Sequence, residues 1–260
     1  MNLELATRRT IKLTLAYEGA GFHGWQMQPE VPTIQGAVTD AVEAVTGERV
    51  PVDASGRTDT GVHALAQVAS FRTVSAIPAA SMVKALNRQL PPSVRVMAAE
   101  DAPAGFHARF HAKAKTYRYR IYRGGVCPPF VWRYTHHFPY ALDEAAMIEA
   151  APLFEGAHDF SSFASSKGRG GAELDELPER SKVRTVFVSR LVRDGEELVY
   201  MARGSGFLHH MVRNITGTLV EIGKGRVFPG DVPEILAARR RAAAGPTLPG
   251  KGLCLVSVEY

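Results

Sequence analysis

The segment Ser55-Gly56-Arg57-Thr58-Asp59-Thr60-Gly61-Val62-His63-Ala64 sets one carboxylate, Asp59, between two glycines, with an arginine two residues before it. Glycines on a tight turn let the main chain approach a substrate closely. A guanidinium beside a carboxylate favours its ionised form and depresses its pKa. The same string also reads as a polar hairpin tip closed by an Asx turn, which needs no chemistry.

Other combinations do less. Asp-Thr-Gly invites comparison with aspartic proteases, but those are all-β and need a second, like-charged aspartate. Here Arg57 and Thr58 stand where apolar residues would be expected. His107 and His111 are four apart, yet the residues between them lack the glutamate of a zinc protease motif. His136-His137 and His209-His210 are adjacent pairs, and sequence neighbours do not share a helix or strand face. Two cysteines, Cys127 and Cys254, supply neither a disulfide framework nor a four-cysteine zinc site, and read as reduced thiols. Neither a phosphate-binding loop nor a dinucleotide fingerprint is present. The expectation is chemistry with no metal and no cofactor.

Charge points to a polyanionic partner. Ala102 to Leu142 contains no Asp or Glu but seven bases, Arg109, Lys113, Lys115, Arg118, Arg120, Arg123 and Arg133. Ten of the 22 aromatic residues fall in the same window, as expected where cations meet phosphates and rings meet splayed bases of RNA. Three further windows are nearly free of acids: 54–99, 198–220 with Arg203, His209, His210 and Arg213, and 235–258 with Arg239, Arg240, Arg241 and Lys251. Brought together, they would form one positive surface. No uninterrupted apolar run reaches membrane-spanning length, and Met1 to Thr10 mixes acid and base without a secretory pattern. A cytoplasmic protein with no membrane partner is expected.

The elements that must hold these residues follow from periodicity. Ile11 to Tyr17 alternates as a strand, and Thr33 to Val45 places Ile34, Val38, Ala41 and Val42 on one helical face before Gly47. A short strand over Val50–Ala54, a second over Gln67–Arg72 and a helix starting at Pro78 complete the first half. In the second, Lys115 to Arg123 puts Tyr117, Tyr119 and Ile121 on one face and Arg118 and Arg120 on the other. Asp143 caps a helix reaching about Phe154, and 156–181 reads as a long loop. Asp194-Gly195 predicts a hairpin pairing Val183–Val192 with Glu197–Ala202. Phe207 to Ile222 carries the apolar stripe of a helix closed by Gly223, Asp231 starts another, and Leu253 to Tyr260 is a final strand. The pattern is α+β, a largely antiparallel sheet with helices on one side.

The full string around Asp59 resembles the tRNA pseudouridine synthase A family, whose Gly-Arg-Thr-Asp, small residue, Gly-Val-His is matched by Gly56 to His63. Four further strings resemble the family's motifs in order: Gly105 to Phe110 with Tyr117-Arg118-Tyr119, His158 to Phe163, Gly206 to Ile215, and Gly252 to Leu255. Together they cover nearly the whole chain. The family usually has a bulky aromatic where Cys254 stands.

The resemblance implies two similar halves, 1–110 and 111–260, each ferredoxin-like or RNA-recognition-like, forming a continuous sheet with a central catalytic cleft, and a homodimer holding tRNA. It implies isomerisation of uridine to pseudouridine in the anticodon stem-loop, at tRNA positions 38, 39 and 40. Asp59 is then the catalytic carboxylate; attack at C1′, attack on the base and removal of a sugar proton are all open to it. Arg57 and Arg213 resemble its arginine supports, Tyr117 the substrate-contacting tyrosine, and Leu253 the residue pressing on the pocket's other side. Arg109, Lys115, Arg118, Arg120, His209 and His210 are candidate RNA contacts. The competing reading is a non-catalytic structured-RNA-binding protein.

Overall fold

The computed structural model describes residues 8–165 and 181–260. The chain folds into two compact units, Met1–Lys113 with Cys254–Tyr260, and Ala114–Leu253. In chain order the first contains β1 (Arg9–Tyr17), α1 (Ile34–Thr46), β2 (Asp53–Ala54), β3 (His63–Thr73), α2 (Ala79–Gln89) and β4 (Val94–Ala102). The second contains β5 (Ala114–Tyr122), α3 (Pro129–Trp132), β6 (His136–His137), α4 (Glu144–Ala150), β7 (Gly156–Asp159), β8 (Val183–Asp194), β9 (Glu197–Gly204), α5 (Met211–Gly223) and α6 (Val232–Ala238). The last strand, β10 (Leu253–Glu259), returns from Cys254 onward to the first unit, so the break between Lys113 and Ala114 is followed by a return that chain order does not suggest.

In the first unit the strand order is β4-β1-β3-β10. β1 runs antiparallel to both β3 and β4, while β10 runs parallel to β3, pairing Cys254 with His63 and Leu255 with Ala64. The alternation of β1 buries Ile11, Leu13, Leu15 and Tyr17, and α1 and α2 add Val38, Val42, Met82 and Leu86 to the core. Each such burial contributes about 1.5–3 kcal/mol relative to exposure. Thr33 caps α1, its hydroxyl accepting from the Gly36 amide at 3.2 Å, and Gly47 ends it at φ +76°.

In the second unit the order is β5-β9-β8-β7, all antiparallel, with β6 beside β5. Tyr119 and Ile121 are buried on one face of β5, and Lys115, Arg118 and Arg120 stay half-buried. Almost every residue of α5 is buried, including Thr216 and Thr218, whose hydroxyls donate to the carbonyls of Val212 and Asn214.

One strand is missed and three expectations need correction. β4 lacks clean alternation, and its Ala98-Ala99-Glu100-Asp101 run hides an edge strand. The expected loop at 156–181 begins with β7 and a turn that buries Phe160 and Phe163; 166–180 lie outside the described residues. The hairpin turn is Gly195-Glu196, since Asp194 pairs with Glu197 and Gly195 takes φ +52°. α5 begins only at Met211, because His210 adopts a left-handed conformation at φ +63° and breaks the helix at its start.

Candidate active site

Asp59 lies on the turn joining β2 to β3, and buried hydrogen bonds fix that turn from below. Gln67, fully buried on β3, accepts from the Ser55 hydroxyl at 2.7 Å and donates to the Gly56 carbonyl at 2.8 Å. The Tyr17 and Thr58 hydroxyls lie 2.8 Å apart, and burial pushes the Tyr17 phenol well above its usual range, so it stays neutral. Alternation follows: Thr58 points inward and is buried, Arg57 is exposed and Asp59 is half-buried.

A second segment clamps the turn from the side. The Trp25 amide donates to the Thr58 carbonyl at 2.9 Å, and the Gly61 amide to the Phe22 carbonyl at 3.4 Å. Gly24 sits at φ +85°, and a Cβ there would lie 2.6 Å from the Thr58 oxygen and 3.0 Å from the Asp59 carbonyl carbon. At Gly19 a Cβ would lie 2.0 Å from the Val62 oxygen, and its amide donates to His63 Nδ1 at 3.0 Å. The Val62 amide closes the turn on the Asp59 carbonyl at 3.1 Å. The result is a partly accessible carboxylate on an immobilised main chain, the preorganisation that charge-stabilising catalysis requires. Periodicity does not point to Gly19 and Gly24; two glycines close to Trp25 are the only sequence sign of so close a main-chain approach. Arg109 is exposed on a separate turn of this unit, anchored by the Ala108 amide donating to Ser70 Oγ at 3.0 Å and the Tyr260 hydroxyl donating to the Ala108 carbonyl at 2.7 Å.

The other candidates belong to the second unit. Tyr117 on β5 is 8% exposed and meets Phe207 edge-on at 5.1 Å. Arg213, in the first turn of α5, is half-buried, and its Nε donates to the Leu248 carbonyl at 2.7 Å. Leu253 is buried at the start of β10, after a turn braced by the Tyr119 hydroxyl on the Pro249 carbonyl at 2.8 Å. A Cβ at Gly252 would lie 2.6 Å from the Tyr119 ring.

Contrary to the expectation from sequence adjacency, His209 and His210 bring their rings within 3.7 Å. The left-handed backbone at His210 is the cause, and its Nδ1 lies 2.9 Å from Ser165 Oγ. The acid-poor windows are also less bare in space than in sequence. Glu197 from β9 forms a two-pronged pair with Arg120 at 2.5 and 2.6 Å, Glu144 pairs with Arg123 at 3.1 Å, and Asp159 pairs with Arg239 at 3.2 Å. The Ser161 hydroxyl, with Arg239 beside it, holds Asp159 below the usual carboxylate range. Arg118 differs: its Nε is buried without a hydrogen-bond partner among the described residues.

The family profile described as tRNA pseudouridine synthase matches residues 14–111 and 150–260, taking in the Asp59 turn and the Arg213 helix. The chain belongs to the tRNA pseudouridine synthase family. It is 51% identical over 252 residues to tRNA pseudouridine synthase A of Solibacter usitatus, covering 97% of this chain and 100% of that protein. The synthase A of Halalkalibacterium halodurans is 46% identical, with 94% and 90% covered, and that of Moorella thermoacetica 44%, with 96% and 99% covered. Both stretches matched by the profile carry close main-chain contacts, Gly24 against the Asp59 turn and Gly217 on the Arg213 helix. No helix among the described residues is long and apolar enough to cross a membrane.

Proposed function

We propose that the chain converts uridine to pseudouridine in the anticodon stem-loop of tRNA, at positions 38, 39 and 40, with Asp59 as the catalytic carboxylate. The observation that carries this reading is the Asp59 turn, fixed by Gln67 and Tyr17 beneath it and by Gly19 and Gly24 beside it. The reaction breaks the bond from C1′ to N1 of uracil and forms one from C1′ to C5. C5 gives up its hydrogen as a proton and N1 gains one, so no water is consumed and no electrons are exchanged. The balance calls for no metal, nucleotide or flavin. A glycosidase needs a second carboxyl group to activate water; recapture of the uracil removes that need.

Arg57 and Arg213 supply the positive charge that supports the carboxylate during reaction. Tyr117 offers an aromatic face to the extruded uracil, worth about 1–3 kcal/mol per stacked base, and Leu253 an apolar one. Arg109, Lys115, Arg118, Arg120, His209 and His210 contact RNA, by phosphate attraction more than by base reading. The chain works as a homodimer in the cytoplasm, where its tRNA substrate is used. Self-association is supported by Val126, Phe130 and Trp132 around α3, apolar side chains exposed in the single chain, with Phe130 at 90%.

The test is to incubate the chelator-stripped, dialysed protein with an unmodified tRNA transcript and map pseudouridine by carbodiimide adducts and primer extension. Stops confined to the anticodon arm are expected. Stops elsewhere would remove the positional assignment, and activity restored only by an added metal would overturn the cofactor-free reaction.

A further inference from the structure

Asn214 follows Arg213 on α5 and is fully buried, yet its side chain reaches two other segments of the second unit. Its Nδ2 donates to the Phe163 carbonyl at 2.7 Å. Its Oδ1 accepts from the Thr247 hydroxyl at 2.6 Å and from Arg241 Nη2 at 3.1 Å. Arg241 also donates to Thr247 Oγ1 at 3.1 Å and the Ala244 carbonyl at 3.2 Å, so the 241–247 stretch is tied to itself and to the helix. One turn on, the Thr218 hydroxyl donates to the Asn214 carbonyl and accepts from the Gly245 amide, both at 2.9 Å. Gly217 admits the Pro246 carbonyl to a position that a Cβ would occupy at 1.8 Å.

The clamped stretch ends at Leu248, which meets Arg213 twice. The Leu248 amide donates to the Arg213 carbonyl at 3.4 Å, and Arg213 Nε donates to the Leu248 carbonyl at 2.7 Å. A guanidinium is planar, so fixing Nε on a main-chain oxygen sets the direction of its terminal nitrogens. An amide suits the hub because it offers a donor and an acceptor on adjacent atoms of one short side chain. Aspartate lacks the donor, and serine is too short to reach both sides.

We propose that Asn214 and Thr247 are positioning residues for the isomerisation, acting through the Leu248 carbonyl to aim the Arg213 guanidinium. The inference rests on the assignment of Arg213 to the reaction. Nothing in the family motif names Thr247, which lies outside the Gly206–Ile215 string.

Thr247→Val keeps the shape of the side chain and removes the hydroxyl that Asn214 accepts from; Thr247→Ser keeps the hydroxyl. Single-turnover rates with saturating enzyme, tRNA dissociation constants and Tm are measured for both, and for Arg213→Lys with and without Thr247→Val. Thr247→Val should slow the single-turnover rate by about tenfold, within the roughly hundredfold cost of ångström-scale misplacement. Its tRNA affinity should change less than about twofold, and Thr247→Ser should restore most of the rate. In the Arg213→Lys background Thr247→Val should add little, as expected of residues acting through one another. A Thr247→Val protein with lowered Tm but an unchanged rate would overturn the proposal, as would a full tenfold further loss in the Arg213→Lys background. Wild-type rates for Arg213→Lys itself would instead remove the assignment of Arg213, a failure distinct from the first.

Discussion

Asp59 owes its accessibility to the residues on either side of it. Thr58 turns inward to Tyr17, which forces Arg57 and Asp59 outward, and Gly24 leaves room for the Trp25 amide to reach the Thr58 carbonyl. Stability and catalysis should therefore separate along this turn. Replacing Gln67 with leucine strips the Gly56 carbonyl and the Ser55 hydroxyl of their buried partner and should lower unfolding free energy by about 1–3 kcal/mol in urea titration. Arg57→Ala, at an exposed position, should stay within about 0.5 kcal/mol of the parent while losing most of its activity. Equal stability loss in the two variants would contradict this division. At this scale the string to which catalysis is assigned stands out because it is contiguous, Gly56 to His63. Gly19, Gly24, Asn214 and Thr247 are not readable, because their work is done through space with partners 33 to 51 residues away, as between Asn214 and Phe163 or Thr247 and Asn214.

Strands and helices with strong periodicity lie where the sequence puts them: β1, α1, β5 and β10 all do. The misses have two causes. β4 and β7 are held by neighbouring strands rather than by their own patterns, and α5 is delayed by one left-handed residue. The pairing of β5 with β9 also changes how charge is read, since Glu197 compensates Arg120 while the Arg118 Nε has no hydrogen-bond partner among the described residues. In a plot of log affinity for tRNA against log salt, Arg118→Gln should reduce the slope by about 0.7–0.9, one phosphate contact. Arg120→Gln should reduce it by less. Unchanged slopes in both would return this strand face to a purely structural role. β6 supplies a pH effect. Burial, reinforced by Lys251, His137 and Lys224, lowers the His136 pKa from 6.5 to about 4. The unfolded chain therefore takes up this proton first as pH falls, and stability drops between about pH 6.5 and 4. His136→Gln should show a smaller Tm difference between pH 7 and pH 5 than the parent; an identical difference would show that His136 contributes nothing to acid lability.

At the scale of the molecule, the first unit is completed only by the last strand of the chain. The Lys113 amide donates to the Glu259 carbonyl at 2.8 Å, and Tyr260 reaches back to Ala108. The return of β10 to the first unit is not visible in the sequence, because a parallel pairing as short as Cys254–His63 and Leu255–Ala64 has no period of its own. On the proposed reading, binding is spread over many basic residues of a chain with net charge +5, whereas the chemistry is assigned to one carboxylate. That separation is the centre of the account, and release of tritium from tRNA labelled at C5 of uridine tests it directly. When C1′ moves to C5 the label must leave to water, so the parent protein should release it. Asp59→Asn preserves size and hydrogen bonding but not the carboxylate; it should bind tRNA at least as tightly and release none. Substantial release by Asp59→Asn, with deamidation to aspartate excluded by mass, would contradict the role of Asp59, and no release by the parent on a competent tRNA would contradict isomerisation itself.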